Sequence, residues 1–489
     1  MSTLILPSIA EAIANATHSA RAPLRWNPAE HLLSRFAFGP TKTDRAYLAK
    51  YGPTAWYSLQ ISRGRLHPGY SANSSVAAVG PLLSKSPAQL HSYFTAQGKS
   101  FSSDAMNQLG MVTIGLQAWS PAQLYETLVD FFANHLNVSN HVGDLWLTRH
   151  AYDRDVIRKY AFGSFTDMLL ASARNPAMLR YLNLSQSTDK AINENYGREL
   201  LELHTVGLNY TESDVVNAAT LLTGRAIDSL YRYAYNPAVH PIGQVQVLGF
   251  TTPNATSTAG ETEGDDLLRY LAAHPFTAQH LARKLCLRFV SDSPSAALVN
   301  AVAAAYLSHH TQILPMVSTI LRSTEFWASR GAKVRRPAEN LVATVRVLGL
   351  GVSDWSSALG SLTWMAHLLG DRPLDWQPPN GYPDVATAWR SSGTLMNLWH
   401  QHLSLLGGSW SGMKPVTPSS YFGTPKTSGA AIAALTHTLT RTTWTTTHLA
   451  VLQAFLGEPA TTPMTRSTLR WKGRALMAII LDGPHHALR

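Results

Sequence analysis

Apolar residues along this chain recur at three- and four-residue intervals far more often than at two, which predicts helices almost throughout. Pro28 opens the first, with Leu32, Leu33 and Phe36 on its apolar face. Phe38-Gly39-Pro40 ends it, and a second helix begins at Thr41. A helix over 120–138 has an aromatic-rich face. The next, from Leu145 to Tyr160, spreads Arg149, His150, Asp153, Arg154 and Arg158 along helical spacings. Segments 266–273, 277–290, 294–308, 311–323 and 337–350 repeat the pattern, and the last helices run to about Leu481. Only Gln244 to Val247, between Gly243 and Gly249, alternates with period two, which predicts one small β-hairpin over about 231–250. Stretches 251–264, 376–384 and 407–429 read as long loops, and 1–27 as an N-terminal extension. The expected fold is mostly α, a single large multi-helix domain over 28–489 with one small β-hairpin.

The densest polar stretch is AINENYGRELLELHTVG, from Ala191 to Gly207. Glu194, Arg198 and Glu202 are four apart and stack as one acid–base–acid stripe on a helix. Asn195 and Glu199 form a second row, Asn193 precedes them, and His204 lies near the helix end. Leu200, Leu201 and Leu203 bind the helix to a core, and Gly207 supplies the left-handed residue that closes it. The plain reading is a set of mutually neutralised surface pairs. The sharper one is an acid–base or metal site.

Two further stretches carry candidate chemistry. Asn134-His135, directly after Phe131-Phe132, begins a polar cluster that includes Asn137, Ser139, Asn140 and His141. The plain alternative for His135 is a core histidine satisfied by a backbone carbonyl. WQPPNGYPDVATAW, from Trp376 to Trp389, holds two tryptophans and a tyrosine between prolines and has no regular structure before Asp384. It reads as a rigid aromatic wall with Trp376, Asn380, Tyr382 and Asp384 facing substrate, or as a simple connector.

Composition narrows the classes. Hydrophobic residues at 45% against 14% charged describe a packed globular chain. The lone Cys286 excludes a disulfide framework and a cysteine zinc cluster, and its apolar surroundings mark it as a core residue. The net charge of +10 is scattered, with its tightest knot at Lys333, Arg335 and Arg336, so no nucleic-acid partner is expected. No apolar run reaches membrane-spanning length. Met1 to Ala16 lacks the charged start of a secretion signal, which makes a cytoplasmic location the default. Phosphate-loop, dinucleotide-binding, lipase-elbow and His-Glu-x-x-His motifs are absent.

HLLSRFAFGPT, FFANHLNVS, NPAMLRYL, NENYGRELLELHTVG, YTESDVVNAATLLTG, HPFTAQHLARKLCLRFV, STEFW and PPNGYPDVATAW occur in this order. Together they resemble the large bacterial family known as domain of unknown function 1800, from about Ala29 to the C-terminus. The resemblance implies a predominantly helical single domain, and it makes the Asn-Glu-Asn, Arg-Glu, Glu-Leu-His and Asn-His segments family features. It also implies a neighbouring exported alkaline-phosphatase-like partner, and so a periplasmic or exported location. The chain departs from the family where Pro241 follows His240 in place of an acidic residue, and where ILDGPHHALR replaces a Ser-Pro-Glu-Phe ending.

These readings converge on one expectation. Asn134 and His135 face Glu199 and Glu202 across a pocket roofed by the 376–384 loop, with Arg198 holding one carboxylate ionised and Glu194 beside it. Such a site hydrolyses a polar substrate, saccharide or envelope-derived, by acid–base chemistry. In its metal variant His135, His204, Glu199 and Glu202 hold a divalent cation. The alternative is a non-catalytic binding or assembly partner of an exported complex, with the same residues as a structural ion-pair network.

Overall fold

A side-chain acceptor followed by proline starts one helix after another. Asn27 Oδ1 accepts the Glu30 amide before Pro28, Ser86 caps before Pro87, and Asn175 before Pro176. The resulting architecture, in a computed structural model that describes residues 8–15, 25–142, 145–464 and 466–489, is mostly α. Among the described residues the strands form only short antiparallel pairs. Most of the expected extension 1–27 lies outside the described residues, but Ile9 and Ala12 of the Ile9–Asn15 helix are buried in the main core.

The expected single hairpin over 231–250 is replaced by two. Arg225–Ile227 pairs with Tyr233–Tyr235, and Val245–Val247 with Phe250–Thr252. In the second, Leu248 and Gly249 both take positive φ, the geometry a two-residue hairpin turn needs. Alternation shows in Val245–Val247 but not in the partner strand, which reads as a polar loop. A third pair, Arg25–Trp26 with Thr442–Thr443, had no sequence signal. The expected loop over 251–264 is shorter, because the Gly260–Ala273 helix begins inside it with Glu261 and Glu263 in its first turn, where the helix dipole favours acids. The 407–429 stretch is interrupted by a Ser419–Phe422 turn of helix.

The core has two main apolar groups, one drawn largely from residues before about 330 and one largely after. The Asp104–Trp119 helix serves both: Leu109, Val112 and Leu116 join the first, Ile114 and Ala118 the second. Every residue of the Pro337–Leu348 helix is buried, including Glu339, Asn340, Thr344 and Arg346. Polar groups so placed need partners. Arg346 donates to the Gly39 and Ala118 carbonyls and to Asp44, and Thr344 meets His402 and His486. Among the described residues no helix is long and apolar enough to cross a membrane.

Candidate functional site

The central stretch is helical from Asn195 to Glu199 and then opens into a π-turn over Leu200–His204. A π-turn shifts the backbone bonding register and leaves carbonyls at its end for other donors. Thr205 Oγ1 takes the Leu200 carbonyl at 2.6 Å, while those of Leu203 and His204 accept from two histidines. Gly207, at φ 67, closes the turn, and a Cβ there would stand 3.0 Å from His280 Nδ1.

The acid–base–acid stripe resolves as a surface feature. Arg198 grips Glu212 with two bonds of 2.8 and 2.7 Å, and Glu194 stands 3.7 Å away. Asn193 Oδ1 accepts the Asn195 amide, and Asn195 Nδ2 donates to the Leu182 carbonyl, so both asparagines pin the approach to the helix. Glu202 accepts from the Tyr210 hydroxyl at 2.6 Å, a hydroxyl that Arg198 also meets, and lines a cleft of about 760 Å³. Glu199 is half-buried. Burial raises its carboxyl, the charge of Glu202 adds to this, and Arg198 opposes it.

The far wall of the cleft is the Pro275–Phe289 helix, with His280, Arg283 and Lys284, while Val206 and Phe276 supply apolar surface. His280 Nε2 donates to the Leu203 carbonyl at 3.2 Å, and His135 Nε2 to the His204 carbonyl at 3.1 Å. A carbonyl only accepts, so each ring carries its proton on Nε2. His135 and His280 lie 5.9 Å apart between ring centroids, and neither ring nitrogen of the buried His204 has a hydrogen-bond partner among the described residues. Burial first, then the Lys284 charge, pushes His280 down to about 4 and His204 to about 3, and holds His135 well below the usual histidine range. All three are neutral near pH 7. Burial likewise pushes Lys284 down to about 8.

Asn134 faces elsewhere. Its Oδ1 accepts the Tyr382 amide at 3.0 Å, and a Cβ on Gly381 would collide with its carbonyl oxygen at 2.2 Å. Asn137 Nδ2 donates to the Trp376 and Pro378 carbonyls. Within the loop, Trp376 Nε1 donates to Asn380 Oδ1 at 2.8 Å, and the Tyr382 hydroxyl donates to the Arg372 carbonyl. The loop thus lies against the end of the Gln123–His135 helix, and Asp384 closes it over a buried ion cluster.

In that cluster Arg288 bonds Glu339, with Asp130 and Asp384 each at 3.7 Å. Arg336 reaches Asp130 at 2.8 Å, Lys333 reaches Asp292 at 2.7 Å and Asp384 at 3.0 Å, and Arg489 reaches Glu339 at 3.3 Å. Burial disfavours the Glu339 charge, yet Arg288, Arg489 and Arg336 outweigh it and hold its carboxyl far below the usual range. Asp371, at the edge, is the opposite case: burial outweighs Arg336 and lifts it to about 7.

The expected single pocket therefore divides in two. Asn134, Tyr382 and Asp384 belong to the ion cluster, whereas His135 and Glu202 belong on the cleft side. His135 bonds a backbone carbonyl and no carboxylate, because the π-turn offers it one at close range. The metal grouping of His135, His204, Glu199 and Glu202 is not assembled: among the described residues no three His, Cys, Asp or Glu side chains are gathered to hold an ion. Sequence reasoning missed His280 and Lys284, although with Arg283 they interrupt the apolar helix at positions i, i+3 and i+4. The basic knot at Lys333, Arg335 and Arg336 is buried and not a surface patch.

Fold and site together define a mostly helical protein whose cleft is built on a π-turn. The chain belongs to the family described as Protein of unknown function (DUF1800), which it matches over residues 31–488. No curated protein and no solved structure matches it.

Proposed function

We propose that this protein is an enzyme acting on a polar substrate by acid–base chemistry, with Glu199 and Glu202 as the proton-handling pair beside the cleft. The asymmetry between the two carriers supports the reading. Burial and the neighbouring Glu202 charge raise the Glu199 carboxyl, while Glu202 accepts a hydrogen bond from the Tyr210 hydroxyl at 2.6 Å. A half-buried carboxyl whose proton affinity is raised, beside one held by a tyrosine hydroxyl, supplies the two unequal environments that a general acid and a general base need. Phe276 and Val206 offer apolar surface next to Asn209 and Asn300, a lining suited to the mixed faces of a saccharide or another envelope-derived polymer.

The test is reducing-end release from a panel of soluble polysaccharides and peptidoglycan fragments. Glu199→Gln and Glu202→Gln lower release by about 10²–10⁴-fold with unchanged melting temperature. Release from no member of the panel, or equal release by Glu202→Gln, sinks the reading. A second reading, a non-catalytic partner of the exported alkaline-phosphatase-like protein that the family resemblance implies, draws on one observation. Leu395, Met396, Trp399 and Leu403 lie exposed along one face of the Ser392–Gly407 helix.

A further inference from the structure

Two cations of the cleft, Lys284 and Arg283, have no ion-pair partner among the described residues, and Lys284 is the less exposed. Lys284 is half-buried on the cleft wall and makes no hydrogen bond or ion pair with any described residue. The nearest polar acceptors of the cleft bond other groups and not Lys284: the π-turn carbonyls of Leu203 and His204 accept from His280 and His135, and Glu202 accepts from Tyr210. The imidazoles around it are neutral, and Leu287 and Val299 add apolar surface. Arg283, exposed on the same helix, adds a second positive charge against the single carboxylate of Glu202. Leaving an ammonium this poorly paired is costly unless something arrives to meet it.

We propose that the cleft is an anion-recognition site in which Lys284 receives a carboxylate or phosphate group of the ligand, with Arg283 at its solvent edge. This rests on the cleft being the substrate site and names the class of substrate: one bearing a negative charge. The anion completes the coordination of the ammonium where carbonyls do not, and the neutral histidines keep the surroundings free of competing cations.

The linkage has a definite sign. In the free protein burial holds Lys284 at about 8, below the ordinary lysine value, and an anion at van der Waals range raises it again. Between those two values binding takes up a proton, so affinity falls as pH rises above about 8. Titration calorimetry on the full chain, just above pH 8, compares inorganic phosphate with glucuronate in two buffers of different ionisation enthalpy. At least one probe binds with proton uptake, and which one identifies the source of the charge. Lys284→Met weakens binding by about tenfold or more. Lys284→Arg retains binding but loses the uptake, because arginine stays charged. Equal affinity in wild type and Lys284→Met, or no binding of either probe, overturns the proposal. Glu202→Gln separates the two readings: anion binding that survives in this variant stands even where turnover is never found.

Discussion

Lys284 and Arg288 stand one turn apart on the same helix, yet they keep opposite company. Arg288 meets Glu339, Asp130 and Asp384, while Lys284 meets no described carboxylate. Both have lost much of their water. The first has had it replaced by the protein itself; the second has not. A buried charge with several fixed partners locks elements together, here the helices carrying Asp130, Arg288 and Glu339 and the loop carrying Asp384. A half-buried charge without them leaves room for a ligand. Density of charged residues along the sequence does not separate the two cases; only the partners do.

Removing one member of the locked set is the severest way to break this contrast. Glu339→Gln leaves Arg288 and Arg489 facing a neutral amide, and destabilises the protein by about 3–5 kcal/mol. Denaturant unfolding measures this, and a loss below about 1 kcal/mol would show the cluster to be dispensable. Asp371→Asn comes next. The folded-state carboxyl lies at about 7 against an ordinary value of 3.8, so the native state holds a proton that the unfolded chain releases. Stability therefore falls as pH rises from about 4 through about 7. The asparagine variant, still able to accept the Ala338 amide, flattens that decline and melts higher at pH 8 than wild type. An unchanged pH profile would mean that Asp371 ionises normally. The smallest effect belongs to Arg198→Ala. Its partners Glu212 and Glu194 are 72% and 46% exposed, so the change costs no more than about 1 kcal/mol. A larger loss of melting temperature would place the stripe with the locked set.

Helices were legible because their apolar spacing and proline starts are local signals, as at Asn27-Pro28 and Asn175-Pro176. The second hairpin strand was not, because Phe-Thr-Thr over Phe250–Thr252 does not alternate apolar with polar residues as Val245–Val247 does. For the site, the sequence marked Glu199, Glu202, His135 and His204, but their grouping depended on the π-turn. A regular helix would leave the Leu203 and His204 carbonyls in different positions, and nothing in ELLELHTVG announces the change of register. The stripe Glu194–Arg198–Glu202 was predicted from α-helical geometry. That geometry ends at Glu199, so Glu202 pairs with Arg198 only through the Tyr210 hydroxyl between them. The Asp130–Arg288–Glu339–Asp384 cluster draws on four separated segments, and only the fold brings them together.

The π-turn also bears on how such a cleft arises. It is the wide last turn of a short helix: the α-helical residues Asn195–Glu199 precede it, and Thr205 is already outside helical geometry. On its entry side Gly197 packs so closely on the next helix that a Cβ there would stand 2.8 Å from the Val215 carbonyl oxygen, which fixes where the turn begins. With its entry fixed, the loss of any one residue between Leu200 and His204 moves both carbonyls away from His280 and His135 at once. In this part of the chain, length is a stricter constraint than residue identity.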